Sequence, residues 1–309
     1  MKKIIMFSIV MMCLSISAFA KKVDSTPKQS HIMKSGKNFL SICSKNQVSM
    51  YDLNTLKKKV TYTLDTTYIQ KFAVSKDEKV LAVAASGGVS FFNISNGELI
   101  SKIIVNEYIY DIDLSGYGKL CIIGTARNGA IVYFVKSGKQ KLHIKHSERV
   151  IGVAIHPEGK LAALIGLEEQ VQLFNLIDGK KNELSIEGRW PVRFSQDGKY
   201  LAISAPDKDK KKKLKLLDIK TMQVNENIRY SRMNTLRAVE NGFIYVDGSG
   251  KWKTNLKGCF LDTKNLKTKV VWTKPISSNY DLLECDFLPL SEEIVVTDFR
   301  FNIKKTPIK

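Results

Sequence analysis

Histidine is scarce in this chain: four among 309 residues, at His31, His143, His146 and His156. No HExxH pair, GxSxG elbow or phosphate-cradling GxxxxGK[ST] loop occurs, which removes the common zinc-hydrolase, serine-hydrolase and nucleotide-binding signatures. Cysteine is sparse as well, five residues with no CxxC spacing, so a compact zinc knuckle or thioredoxin-type motif is excluded. Arginine is short too, 8 against 41 lysines. Arginine supplies the planar fork that reads phosphate or carboxylate in two places at once. A net charge of +19 carried on lysine therefore predicts attraction to anionic partners with little geometric specificity.

After residue 20 no apolar run is long enough to cross a bilayer. The first twenty residues have a different character. Lys2 and Lys3 precede the apolar stretch Ile4 to Ile16, and Ala18-Phe19-Ala20 follows, the pattern of a cleaved export signal. The expectation is a periplasmic or secreted protein, residues 21–309 forming one domain with no transmembrane anchor after cleavage. Cys43, Cys121, Cys259 and Cys285 remain in the mature chain. An oxidising compartment permits disulfides, but the spacings name no pair. Cys43, Cys121 and Cys285 fall at apolar strand positions, whereas Cys259, beside Gly258, reads as semi-exposed.

What is abundant is repetition. FAVSKDEKVLAVA (from Phe72), IDLSGYGKLCIIG (from Ile112), VAIHPEGKLAALI (from Val153) and FSQDGKYLAIS (from Phe194) share one plan: alternating apolar residues, Ser or His, a polar turn, Lys, then an apolar run. A second signature follows each copy, as in VSMYDLNT, VSFFNISN, VQLFNLID and LKLLDIKT. Its marker residues are Asp52, Asn93, Val135, Asn175, Asp218, Asp262 and Asn302, spaced 40 to 44 apart. Units of that length with four short β-type runs form a radial stack. The expected fold is an all-β, seven-bladed β-propeller of four-stranded antiparallel blades. Its N- and C-terminal segments would close the ring, with residues around Val23 to Lys28 supplying the last blade's outer strand. Six blades with irregular ends is the alternative.

The phrase FSQDGKYLAIS and the MYDLNT-type third strands resemble the WD40-like and YVTN-like superfamily of β-propellers, as found in secreted bacterial proteins. There is no Gly-His or Trp-Asp dipeptide, so the buried tetrad of eukaryotic members is not carried over. The chain's size, signal peptide and repeat are also similar to small propellers that serve as accessory proteins of periplasmic nitrate reductase systems. That resemblance implies a scaffold rather than an enzyme.

Two groups of residues are candidates for a site. Asp111, Asp113, Glu284 and Asp286 fall on inner strands, with Lys71 and Arg193 at comparable repeat positions. They read either as an acidic channel pocket or as channel polars paired with their neighbours. The segment PDKDKKKKLK, Pro206 to Lys215, reads as a protruding loop carrying Lys208, Lys210, Lys211, Lys212 and Lys213. The same face should carry Arg149, Arg189, Trp190, Arg229, Tyr230, Arg232, Lys251 and Trp252, along with Arg127. Basic residues interleaved with aromatics suit an acidic protein, an anionic glycan or lipid headgroups; a solvated lysine run is the other reading. The expectation is a monomeric, non-catalytic interaction scaffold without metal or cofactor, binding another cell-envelope protein rather than nucleic acid. A channel enzyme and a polyanion-binding adhesion protein are the alternatives.

Overall fold

The structure, a computed structural model, describes residues 32–35, 38–66, 68–205, 212–230, 233–248, 255–275, 284–287, 293–297 and 303–307. All of its regular elements are strands. Blade one orders β1 (Ile32–Ser35), β2 (Phe39–Ser44), β3 (Gln47–Asp52) and β4 (Lys58–Thr63). Blade two has β5 (Ile69–Val74), β6 (Val80–Ala85), β7 (Gly87–Asn93) and β8 (Leu99–Val105). In blade three come β9 (Ile109–Leu114), β10 (Leu120–Thr125), β11 (Ala130–Phe134) and β12 (Gln140–Ile144). Blade four contains β13 (Gly152–Ile155), β14 (Leu161–Ile165), β15 (Gln170–Asn175) and β16 (Lys181–Glu187). Blade five is β17 (Arg189–Phe194), β18 (Tyr200–Ala205), β19 (Lys212–Asp218) and β20 (Val224–Tyr230). Blade six is β21 (Met233–Val239), β22 (Gly242–Gly248), β23 (Asn255–Asp262) and β24 (Lys267–Pro275). A further sheet of three strands holds β25 (Glu284–Phe287), β26 (Glu293–Thr297) and β27 (Ile303–Pro307).

The expectation of seven four-stranded blades is therefore corrected to six, with one three-stranded sheet beside them. β25 lies against β21 on one side and β1 on the other, so the first strands follow one another around a common axis. The segment expected to supply the missing outer strand, Val23 to Lys28, lies outside the described residues.

Apolar runs on both faces of β6, β10, β14 and β18 explain where the core sits. Each sheet must bury two faces, and it does so against its two neighbours. Phe91 and Ala84 of blade two meet Ile112 and Ile123 of blade three. Ile122 meets Val153 and Leu164 between blades three and four, and Leu214 meets Phe243 between five and six. Small residues in second strands (Ala82, Ala84, Ala162, Ala163 and Ala202 are all fully buried) let sheets approach closely near the axis. Cys43, Cys121 and Cys259 are buried thiols. Cys259 is only 4% exposed, so its sequence reading as semi-exposed is corrected; burial pushes its pKa up to about 11.

The repeat letters have local jobs. The Ser that follows the first strand in blades two, three and five closes the following turn: Ser75 Oγ accepts from Val80 N–H at 3.0 Å, Ser115 Oγ from Leu120 N–H at 3.0 Å, and Ser195 Oγ from Tyr200 N–H at 2.9 Å. The Asp or Asn that ends the third strand in blades one, two, four, five and six accepts turn amides two or three residues on, the Asx turn. Asp52 bonds the N–H of Asn54 and Thr55, Asn175 that of Ile177, and Asp218 those of Lys220 and Thr221. These short turns make one flat end of the ring, the turn face. Connections between blades and between second and third strands make the opposite end, the loop face.

His156 takes the serine's place in blade four. Its Nδ1 accepts Glu158 N–H at 3.1 Å, and its ring meets Phe194 edge-on with centroids 5.5 Å apart. Gly198 of blade five, at φ +75°, packs so closely that a Cβ would collide with that imidazole. Burial pushes the His156 pKa below its ordinary value, outweighing the upward pull of Glu158, the Gly198 backbone and Asp197. The unfolded imidazole titrates near ~6.5, so across that region the unfolded chain binds more protons than the fold. Stability from this group is complete above about pH 6.5 and declines as pH falls through the lower folded value. Thermal melts across this range should show that decline in wild type and a smaller one in His156→Ser. Equal declines would show that His156 is not the titrating group.

Candidate functional site

The first strands β5, β9, β13 and β17 lie next to one another around the axis, each at the edge of its sheet with amides and carbonyls that no further strand pairs. Side chains of one blade satisfy the next. Gln70 Oε1 accepts Ile109 N–H at 3.0 Å. Asp111 Oδ2 accepts Val153 N–H at 3.2 Å, and Asp113 Oδ2 accepts Ile155 N–H at 3.0 Å. Arg193 Nη1 donates to Val153 O at 3.1 Å and to Asp111 Oδ2 at 3.3 Å. Burial alone would lower the Arg193 pKa, but Asp111 and Asp113 raise it overall and hold the guanidinium charged. Of the two sequence readings, Asp111 and Asp113 follow the second, channel polars paired with their neighbours: they stitch blade three to blade four and neutralise Arg193. Glu284 and Asp286 lie on β25, whose side chains are outside the described residues. No group of three or more potential metal ligands occurs among the described residues.

Two lysines of blade two span the axis to blade five. Lys71 Nζ stands 5.6 Å from the Trp190 ring centroid on the loop-face side. Lys76 Nζ donates to Gln196 O at 3.0 Å on the turn-face side. Beside Lys76 is a cleft of about 110 Å³, walled by Asp197, Asn241 and Thr263 among others. It is small against the roughly 300–1,000 Å³ of a drug-sized ligand site.

Around the loop-face end of the axis the described aromatics gather. Tyr68 and Tyr108 are each 42% exposed and Trp190 is 40% exposed. Tyr108 packs edge-on against Tyr110 with ring centroids 4.9 Å apart. Burial, then the nearby phenols of Tyr68 and Tyr110, raises the Tyr108 pKa. The Trp190 ring lies over Gly152, where an added Cβ would sit 3.2 Å from Cδ1. Sequence reasoning found Trp190 but missed the three tyrosines, which sit at blade connections of no fixed repeat phase. The available signal was aromatic recurrence just before first strands, in TTYIQK and NEYIYD.

No protein-family model matches the chain. The WD repeat-containing protein SL1-17 of Schistosoma mansoni is 24% identical over 137 residues, covering 44% of this chain and 46% of that protein. The matched region therefore spans less than half of that relative's length. A solved chain of Kuenenia stuttgartiensis hydrazine synthase superposes with a TM-score of 0.67 at 15% identity, covering 94% of this chain and 99% of the other. The β-propeller domain of Myceliophteria thermophila Cps50 (Swd1) superposes with a TM-score of 0.69 at 9% identity, covering 93% and 99%. The fold is a WD40-like β-propeller.

The propeller's basic residues are arranged differently from the sequence expectation. Lys212 and Lys213 are not loop residues; they open β19 and pair with Tyr230 and Arg229 of β20. Lys213 and the nearly buried Lys215 both approach Glu226, at 3.7 and 3.0 Å. Tyr230 is only 5% exposed and hydrogen-bonds Ser204, so it is a core residue and not a contact residue. Arg149 and Arg189 are exposed on the loop face, Arg189 paired with Glu169. The Arg229 side chain, and Lys208, Lys210, Lys211, Arg232, Lys251 and Trp252 altogether, lie outside the described residues. Among those described, the loop face carries Lys45, Arg127, Lys145, Arg149 and Arg189 together with Asp65, Glu107, Glu148, Glu168, Glu169 and Glu187. That face is electrically mixed where it is described, and its distinguishing surface is aromatic.

Proposed function

We propose that this propeller is a non-catalytic scaffold of the cell envelope whose loop face captures another envelope protein. The observation that carries this is the exposed aromatic cluster Tyr68, Tyr108 and Trp190 at the axis, with the Lys71 ammonium stacked on Trp190. Aromatic side chains of this kind, half-exposed and held by neighbours, are the residues that dominate protein interfaces. The engagement of Asp111 and Asp113 in holding blades together supports a scaffold over a channel enzyme. On this reading residues 1–20 are removed on export, the mature chain works as a monomer in the periplasm or beyond it, and no cofactor or nucleic acid takes part. An accessory role beside a periplasmic respiratory enzyme such as nitrate reductase is the specialisation we favour. The structural likeness to a hydrazine synthase chain is compatible with it.

Capture from a native envelope extract tests this directly. Trp190→Ala combined with Tyr108→Ala should reduce recovery of the partner by at least tenfold, as expected when interface anchors worth about 2 kcal/mol are removed. Neutralising Lys210 to Lys213 with Arg229 and Arg232 should add a further, salt-dependent loss. Undiminished capture by the aromatic variant at low salt would move the interface off the loop face.

A further inference from the structure

The turn face combines two features that the loop-face reading does not use. Its tips in blades two to four expose large apolar side chains: Leu99 at 56%, Tyr117 at 71%, Phe134 at 44% and Ile177 at 77%. Around them stand the exposed Lys79, Lys119, Lys136, Lys139, Lys180 and Lys181. Lys141 Nζ reaches to 5.7 Å from the Phe134 ring centroid. The carboxylates of the same turns are partly engaged by the turns themselves: Asp77 accepts from Ser75 Oγ at 2.6 Å and Lys79 N–H at 3.2 Å, and Asp178 accepts Lys180 N–H at 3.0 Å. Glu158 pairs with Lys160, and the exposed lysines outnumber the exposed acids Glu98, Glu158 and Asp178.

We propose that the turn face docks onto an anionic lipid bilayer, with Leu99, Tyr117, Phe134 and Ile177 entering the headgroup layer and the surrounding lysines pairing with lipid phosphates. A dissolved polyanion would need the lysines alone and gives no place to an isoleucine and a tyrosine more than two-thirds exposed at turn tips. A membrane interface takes both. Lysine stems lie along apolar surface while their heads stay in water, and tyrosine is a preferred interfacial residue. The short turns are closed by their own hydrogen bonds, which holds the apolar tips in place. Each lysine brought near an anionic surface strengthens binding about fivefold, and the attraction is screened within about 8–10 Å at physiological salt. Docking should then be reversible and salt-sensitive, and it leaves the loop face directed away from the membrane.

The test uses the full chain and vesicles of equal parts phosphatidylglycerol and phosphatidylcholine, with and without brominated acyl chains. In Tyr117→Trp the added indole emission should shift to the blue on anionic vesicles and be quenched by bromolipid. Adding Lys119→Glu, Lys136→Glu and Lys139→Glu should abolish that shift. Ile177→Ser with Phe134→Ser should weaken it about tenfold while leaving the salt dependence in place. These positions are all exposed, so unchanged far-ultraviolet circular dichroism accompanies each expected result. An added indole that stays water-exposed on anionic vesicles overturns the proposal, as does a shift that survives the triple charge reversal. Binding to soluble heparin without quenching at position 117 also overturns it, assigning the face to dissolved polyanions. Partner capture through Trp190, measured on the same variants, is independent of each of these outcomes.

Discussion

Asp111→Ala should lower the stability of the propeller by about 3 kcal/mol, near the low end for breaking a buried ion pair. The Asp111 side chain is 4% exposed and Arg193 17% exposed, so water cannot replace the lost carboxylate. Three groups lose a partner at once: the Val153 N–H on the free edge of β13, the Ile112 N–H, bonded to Asp111 Oδ1 at 3.0 Å, and the buried Arg193 guanidinium. Arg193 keeps its bonds to Val153 O and Val192 O, at 3.1 and 2.7 Å, which is why a larger loss is not expected. In thermal melts a 3 kcal/mol loss corresponds to a fall of roughly 6–12 °C for a chain of this size. Pairing the change with Arg193→Met, which removes the stranded charge, should recover part of it. A catalytic Asp111 would give the opposite pattern, near-native melting with some activity lost, so an unshifted melt would refute the stitching role.

The second large effect is expected at adjacent glycines with opposite surroundings. Gly87 and Gly88 open β7 at φ +92° and +147°, both in the region L side chains avoid. A Cβ on Gly87 would meet nothing within 4 Å. On Gly88 it would overlap the Ile103 carbonyl oxygen and stand 3.0 Å from the Ile103 carbonyl carbon, both backbone atoms of the paired strand β8. A strand ladder cannot step aside as a flexible side chain can. Gly87→Ala should cost about 1–2 kcal/mol, the conformational penalty alone. Gly88→Ala should cost on the order of 3–5 kcal/mol, in the exceptional range for single substitutions, because relief requires parting β7 from β8. Chemical denaturation of the two variants compares them directly, and similar midpoints would mean that the β7–β8 register yields to the added methyl.

Much of the architecture was legible because the repeat letters act locally. Ser75, Ser115 and Ser195 bond amides five residues ahead, and Asp52, Asn93 and Asp218 bond amides two residues ahead. A turn that closes on itself leaves the same mark wherever it recurs, so strand order and four-strand sheets could be read from spacing. Among the described residues six sheets are four-stranded and the last has three strands; the reading of that last blade relied on a segment far from it in the chain, around Val23 to Lys28, and no local letter marks such a pairing. Glu78 shows another limit. It stands at φ 55°, the turn position that Gly118, Gly159 and Gly198 occupy in later blades, and no sequence rule explains a glutamate there. Its carboxylate accepts Asn38 N–H and Asn38 Nδ2–H, at 2.9 and 2.7 Å, across the boundary with blade one.

The candidate site was less legible for the same reason carried further. The charges of Asp111, Asp113 and Lys71 were visible in the chain, but whether they confront a ligand or one another depends on residues 40 to 120 positions away. Lys71 reaches Trp190, Lys76 reaches Gln196, and Asp111 reaches Val153 and Arg193. The lysine run from Pro206 looked like a free loop, yet Lys212 to Lys215 belong to β19, because register with β18 and β20 decides where a strand begins. A radial all-β repeat and the chemistry of its serine and Asx turns follow from the chain alone, since those bonds span five residues or fewer. Which side chains are spent on joining blades and which remain for partners follows from contacts between blades, and three-dimensional closure alone sets those.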